Sequence, residues 1–333
     1  MAHHISIIGA GGWGTALAHA LALQGHRVTL WAYEKEVAED ISSRRENSVF
    51  LPGIRLAEGV KATCDLAKAL RGPEFVVLAM PSHTAHAMVE QMLPYLDSKT
   101  AFVSATKGMD TDRLMRMSEI FRSVVGTKFQ PRFCALSGPS FAREVATGRP
   151  TALVVASEDT EAAKMVQHAF SSPTLRLYTS RDVIGVELGG AVKNVIAIAA
   201  GVVEGLGLGH NPVAALITRG IAEMTRLATA CGARPETMAG LSGLGDLVLT
   251  CTGDLSRNRQ VGIELARGRR LDEIVGSMRM VAEGVKTAAA TVALSVRYRV
   301  EMPVAQQVHR LLKGEVTASE AIRELMERSL KEE

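Results

Sequence analysis

Lys193 sits in a run of small and apolar residues. From Glu187 to Glu204 the chain reads ELGGAVKNVIAIAAGVVE, and Lys193 and Asn194 are the only strongly polar residues inside it. A lysine in such surroundings is costly unless it is paired or used. Burial also lowers its pKa toward the range in which it can exchange protons. The same residue could instead snorkel at a domain edge. Gly189, Gly190, Ala197 and Gly201 keep the surface around it small, so a partner or a ligand can come close.

Other segments carry complementary chemistry. Ser256-Arg257-Asn258-Arg259 reads as a helix start whose donors and backbone amides could hold a phosphate, or as a plain serine cap with solvated arginines. Gly240-Leu241-Ser242-Gly243-Leu244-Gly245-Asp246 is a close-approach loop ending in a carboxylate, with Thr250-Cys251-Thr252 after it. Lys107, in Ser104-Ala105-Thr106-Lys107-Gly108, follows a strand and can set a positive charge beside a substrate oxygen or phosphate; taken alone, it reads as solvated. Ser137-Gly138-Pro139-Ser140 follows another strand, with Gly138 permitting close backbone approach and Pro139 suited to a first helical turn. Ser82 reads as a helix N-cap. His83 and His86 could face one metal ion, but no third ligand is visible, and no metal is expected.

These groups need a scaffold, and its plainest marker is Gly9-Ala10-Gly11-Gly12-Trp13-Gly14. The turn lies between a short β-branched run at 5–8 and a strong helix-forming run from Thr15, with a second strand after Gly25. That is the context a dinucleotide fingerprint requires. Gly9 allows the tight turn, Gly11 lets backbone approach a pyrophosphate, and Gly14 lets helix and strand pack closely. Further strands are expected at 28–31, 75–79, 101–105, 133–136, 152–156 and 175–178, mostly separated by helical stretches. Beyond Val183 the texture is helical, at about 183–205, 212–231, 257–267, 282–298, 304–313 and 317–329. The fold class is therefore α/β: an N-terminal Rossmann-type doubly wound sheet followed by an all-helical C-terminal domain. The boundary is expected at 181/182, giving a dinucleotide-binding domain (1–181) and a helical substrate and catalytic domain (182–333) with the site between them.

Composition fits an enzyme of this kind. The chain has 333 residues, 47% of them hydrophobic and 22% charged, with 38 basic and 35 acidic residues well mixed. Such a balance leaves no electrostatic footprint for nucleic acid. Cys64, Cys134, Cys231 and Cys251 form neither a zinc pattern nor a disulfide framework, which suits a reducing, cytoplasmic setting. The chain runs directly into its first strand, so no signal peptide is expected. The apolar run at 195–203 is too short to span a bilayer, so no stable membrane insertion is expected.

Taken together, GAGGWGTALA, ATKGM, SGPSFA, ELGGAVKNVIAIAAG, GLGDLVLTCT and SRNR closely resemble NAD(P)-dependent glycerol-3-phosphate dehydrogenase of the bacterial biosynthetic type, in the expected order. The resemblance implies reversible reduction of dihydroxyacetone phosphate to sn-glycerol 3-phosphate, the backbone precursor of phospholipids, with NADH or NADPH. It makes Lys193 the general acid/base and places Asp246 on the substrate or on Lys193. Lys107, Gly138 and Ser140 would line the substrate, and Ser256, Arg257 and Asn258 would grip its phosphate. The cofactor positions would be Gly9, Gly11, Gly12, Trp13, Gly14, Tyr33, Lys107, Ala142, Arg257, Val281 and Glu283. A homodimer is compatible with this reading. Gly12 stands where serine or asparagine is frequent, and Trp31-Ala32-Tyr33-Glu34-Lys35 lacks the arginine or histidine expected for firm 2′-phosphate binding. Use of both cofactors without strong discrimination is therefore expected. Two alternatives are a β-hydroxyacid or ketopantoate-type dehydrogenase of the same architecture, and a cofactor-sensing protein without catalysis.

Overall fold

The computed structural model describes residues 1–330 and has ten strands among them: β1 (His4–Ile8), β2 (Arg27–Trp31), β3 (Val60–Thr63), β4 (Phe75–Leu78), β5 (Ala101–Ser104), β6 (Met109–Asp110), β7 (Met115–Arg116), β8 (Arg132–Ser137), β9 (Thr151–Ala156) and β10 (Leu175–Ser180). Eight form one sheet in the order β10-β9-β8-β5-β4-β1-β2-β3. Every pair is parallel except β8–β9, where Leu136 faces Val155 in antiparallel register. The strand order reverses at β1, between β2 and β4, which is where a doubly wound sheet offers its ligand crevice.

The sheet is buried on both faces, which explains its continuous apolar runs. Ile5, Ile7, Leu30 and Val77 pack on one side with Leu17 and Leu21 of the helix Gly12–Leu23. Ile8, Val76, Leu78 and Phe102 pack on the other with Val89 and Met92 of the helix Ala85–Met92 and Phe121 of Met117–Val125. Successive residues such as Val76 and Val77 thus serve opposite cores, as the two-residue period of a strand dictates.

The helical half is organised around Val183–Gly205, the central helix, with Val195, Ile196, Ala197 and Ile198 wholly buried. Its length and mean hydropathy of 1.6 would suffice to cross a membrane, contrary to what the run at 195–203 alone suggests; 83% of its most apolar stretch is packed inside the fold, as in a core helix. His210–Ala230, Arg257–Ala266, Glu283–Arg297 and Pro303–Leu312 surround it.

Several elements depart from expectation. β3 has no counterpart among the expected strands, being a four-residue edge strand with no fully buried residue. The β6–β7 hairpin, just after Lys107, likewise has no counterpart among the expected strands. Leu241–Gly245 is a π-helical turn running into the helix Asp246–Thr252, not a loop. Pro139 lies ahead of its helix, Ala142–Ala146, and packs against Gly245 instead. Ser82 does not cap a helix: Pro81 holds that position, and the Ser82 hydroxyl goes elsewhere.

Candidate active site

The loops after β5 and β8 meet the middle of the central helix, and glycines make the approach close enough. A Cβ on Gly190 would lie 2.7 Å from the Ser137 hydroxyl, and one on Gly189 would lie 2.5 Å from the Ser242 carbonyl oxygen. Further along, Gly201 and Gly262 face each other's backbones, at 1.9 Å to the Arg259 oxygen and 2.0 Å to the Ile198 oxygen. The small residues of the central helix are thus largely occupied by the chain's own backbone.

At the meeting point two lysines share one carboxylate. Lys193 Nζ donates to Asp246 Oδ1 at 2.5 Å and to Thr250 Oγ1 at 2.8 Å. Lys107 Nζ donates to Asp246 Oδ2 at 2.8 Å, to the Gly138 oxygen at 2.8 Å and to Ser140 Oγ at 3.1 Å. Asp246 is 1% exposed and Lys193 5% exposed, so the snorkelling reading of Lys193 fails. Desolvation brings the Lys193 pKa down to about 8; Asp246 pulls it up and Lys107 pushes it further down. An ammonium has three N–H donors. Lys193 commits two and keeps one free, whereas Lys107 commits all three and must release one to reach a ligand. Two cations against one carboxylate also leave a surplus positive charge in a dry setting, where it favours an anion strongly.

The phosphate-gripping candidates are tied to this centre. Asn258 Nδ2 donates to Asn194 Oδ1 at 2.9 Å, next to Lys193, and Asn258 Oδ1 accepts from the Gly284 amide at 2.9 Å. Ser256 Oγ accepts from the Arg259 amide, so Ser256 is the N-cap of its helix, and its hydroxyl hydrogen remains available. Arg257 donates to the Val281 oxygen at 2.7 Å. It is exposed, yet crowded enough that desolvation lowers its pKa against the pull of Glu283, as for a cation in a concave wall.

The glycine turn has the geometry its spacing suggests. Gly9 has φ +117° and lies under Ala79, whose carbonyl carbon would be 2.7 Å from an added Cβ. On Gly14 a Cβ would lie 2.0 Å from the Gly9 oxygen, while on Gly11 it would meet nothing within 4 Å. That opening faces the N-terminus of Gly12–Leu23, whose free amides and dipole suit a pyrophosphate, so the residues fit a dinucleotide. The Trp13 ring lies 6.0 Å from Lys107 Nζ, and Ala142 borders Gly12. Glu283 accepts from the Ser82 amide at 3.1 Å and from its hydroxyl at 2.6 Å, joining the loop after β4 to the helical half. Tyr33 stands apart, 79% exposed beyond β2.

The N-terminus model of NAD-dependent glycerol-3-phosphate dehydrogenase matches residues 4–163, and the C-terminus model of the same enzyme matches residues 182–323. The chain belongs to this family. It is 56% identical over 326 residues to the glycerol-3-phosphate dehydrogenase [NAD(P)+] of Koribacter versatilis, covering 97% of each chain. It is 54% identical to the enzyme of that name from a Geobacter species, covering 100% of this chain and 99% of the relative. Among solved structures, glycerol-3-phosphate dehydrogenase from Coxiella burnetii superposes with a TM-score of 0.94 at 40% identity, covering 98% of this chain and 99% of the other. As a member of the family the chain is an NAD(P)-dependent oxidoreductase. The alternative ketopantoate type has a much weaker likeness, of fold alone: the Ralstonia eutropha reductase is 17% identical with a TM-score of 0.59.

Two members of the network carry little signal in the sequence. Thr250 was visible only as a neighbour of Cys251, although it stands four residues after Asp246 and so shares its helix face. Asn194 stands out in the sequence for polarity alone, yet it joins Lys107, Gly190 and Asn258.

Proposed function

We propose that the buried Lys193–Asp246–Lys107 centre, beside the glycine turn, reduces the ketone of dihydroxyacetone phosphate to the alcohol of sn-glycerol 3-phosphate. When bound, the reduced nicotinamide supplies the hydride. Negative charge then develops on the carbonyl oxygen, and Lys193 uses its free N–H first to stabilise it and then to donate the proton. Asp246 and Thr250 hold the ammonium in place. Lys107, Gly138 and Ser140 line the substrate, and Ser256, Arg257 and Asn258 take its phosphate. Because Asn258 is bonded to Asn194, the residue after Lys193, the phosphate anchor and the proton donor are mechanically joined, so remote binding energy orients the reacting carbonyl. The glycine turn, Trp13, Ala142, Val281 and Glu283 take the cofactor, with Tyr33 toward its adenine end.

In the same reading residues 1–181 form the dinucleotide domain and 182–333 the helical one, supported by the family models meeting between 163 and 182. The four cysteines are free, which supports a cytoplasmic setting. A homodimer belongs to the same proposal, with sedimentation as its test.

A spectrophotometric assay with dihydroxyacetone phosphate tests the activity. Both NADH and NADPH should be oxidised, with kcat/KM values within about a hundredfold, or roughly 2.7 kcal/mol, of each other. The support is chemical: Tyr33 and Lys35 at the end of β2 are exposed, Glu34 is only half-buried, and Lys35 pairs with Glu39 at 3.4 Å. A larger ratio removes dual use, and no oxidation of either cofactor removes the activity.

A further inference from the structure

Residues 45–57 cross the glycine turn as a fixed strap. Leu51 and Leu56 are buried in the sheet core, and the strap's ends are bonded together by the Leu56 amide donating to the Arg45 oxygen at 2.7 Å. From the far side, Arg143 donates to the Pro52 oxygen at 3.1 Å. The strap touches the turn directly: a Cβ on Gly12 would lie 2.9 Å from the Phe50 oxygen. Any side chain at Gly12 would collide with the strap as it lies here.

Asn47 is the strap's contact with the backbone of the turn, and it is 1% exposed. Its Nδ2 donates to the Ala10 oxygen at 2.8 Å and to Thr15 Oγ1 at 2.8 Å. Its Oδ1 accepts from the Phe50 amide at 3.0 Å, which fixes the orientation of the side-chain amide. The Thr15 hydroxyl also donates to the Ala10 oxygen, at 3.2 Å, so both acceptor sites of that carbonyl are filled from inside the protein.

We propose that Asn47 is a positioning residue for the dinucleotide: by holding the Ala10 carbonyl inward, it aims the Gly11 amide at the pyrophosphate. The peptide between them is trans, so C=O and N–H point in opposite directions. A carbonyl fixed inward puts the following N–H outward, toward the open side of Gly11. Without Asn47 the Ala10 carbonyl keeps only the longer bond from the Thr15 hydroxyl, so the peptide plane turns more easily and can present an oxygen to a phosphate, replacing attraction by repulsion. This inference rests on the reading of residues 9–14 as the cofactor turn.

The test is a fluorescence titration of NADH, without substrate, into wild type, Asn47→Ala and Asn47→Asp. Asn47→Asp keeps the side chain's size and the acceptor for Phe50 but cannot donate when ionised, so it decides the matter if Asn47→Ala does not fold. The expected result is a Kd for NADH raised by about fivefold or more in each folded variant, with kcat at saturating NADH and KM for dihydroxyacetone phosphate within about twofold of wild type. A merely structural role would lower Tm without this split. Kd within about twofold of wild type in Asn47→Asp overturns the proposal, as does an equal fall in all kinetic parameters. If wild type itself does not bind NADH, the reading of the turn fails, and that outcome is distinct from the others.

Discussion

Lys193 and Glu223 are both buried ionisable residues of the helical half, and desolvation pushes each toward its neutral form. Lys193 is brought down to about 8 and Glu223 pushed up to about 7. Their surroundings differ. Lys193 meets a carboxylate and a hydroxyl, lies close to a second cation, and keeps a donor free beside the dinucleotide turn. Glu223 accepts the Val304 amide at 2.8 Å and the Ala305 amide at 3.3 Å, capping the helix Pro303–Leu312 within the apolar core. A shifted pKa is therefore weak as a marker of chemistry. What separates the two is an unfilled donor and a charge imbalance waiting for an anion.

The largest effect should follow removal of the first group. Lys193→Ala should abolish turnover while leaving a folded protein that still binds reduced cofactor. Acid/base contributions are about 10²–10⁴-fold, and loss of charge stabilisation adds to that. A variant within about threefold of wild-type kcat would take Lys193 out of the chemistry and erase the contrast. Arg257→Ala tests a cation at the rim of the same centre. It should lower kcat/KM for dihydroxyacetone phosphate roughly ten- to a hundredfold, about 1.5–3 kcal/mol, and have little effect with unphosphorylated dihydroxyacetone. Equal losses on both substrates would assign Arg257 to structure or to the cofactor, through its bond to Val281.

The elements of this centre were legible in unequal measure. The glycine turn was readable because its constraint is local: φ at Gly9 and packing at Gly14 are set within a few residues. Lys193 was readable as a cation without polar neighbours in the chain. Its bond to Asp246 spans 53 positions and entered only through family resemblance, because spacing carries no information at that range. The π-helical turn before Asp246 was hidden because glycine signals a loop, whereas Gly243 is packed so tightly against Met238 that a Cβ would lie 2.2 Å from its carbonyl oxygen. Asn47 gave no signal, since a buried asparagine that braces a carbonyl looks in sequence like any turn asparagine.

The pH dependence of turnover sharpens the contrast. Lys193 must carry a proton to reduce the ketone, and its pKa is about 8. With saturating cofactor, kcat/KM for reduction should be flat below that value and fall about tenfold per pH unit above it, while oxidation of sn-glycerol 3-phosphate gains in the same range. Glu223→Gln should keep the same profile. A reduction rate still flat at pH 10 would detach the titration from Lys193.

The smallest effect concerns Glu223 and should appear in stability alone. Glu223 is 1% exposed, and its folded pKa of about 7 lies above the ordinary value of 4.5. The folded state therefore holds a proton that the unfolded chain releases earlier. The stability this confers is complete below about pH 4.5 and is lost as pH rises through about 7. The full loss is on the order of 3 kcal/mol, for a rise from 4.5 to about 7. The Val304 and Ala305 amides, and less so Arg226 and Arg328, pull in the opposite direction but do not outweigh desolvation. Glutamine has no proton to lose, so the Tm of Glu223→Gln relative to wild type should rise by a few degrees between pH 5.5 and 8.5. The glutamine amide leaves only one acceptor for two backbone donors, so the variant can begin below wild type at acid pH without affecting this slope. Thermal unfolding of both proteins across that range supplies the measurement. A constant Tm difference would show that Glu223 does not titrate there, and Lys193 would then be the one buried group of the pair whose protonation matters near neutrality.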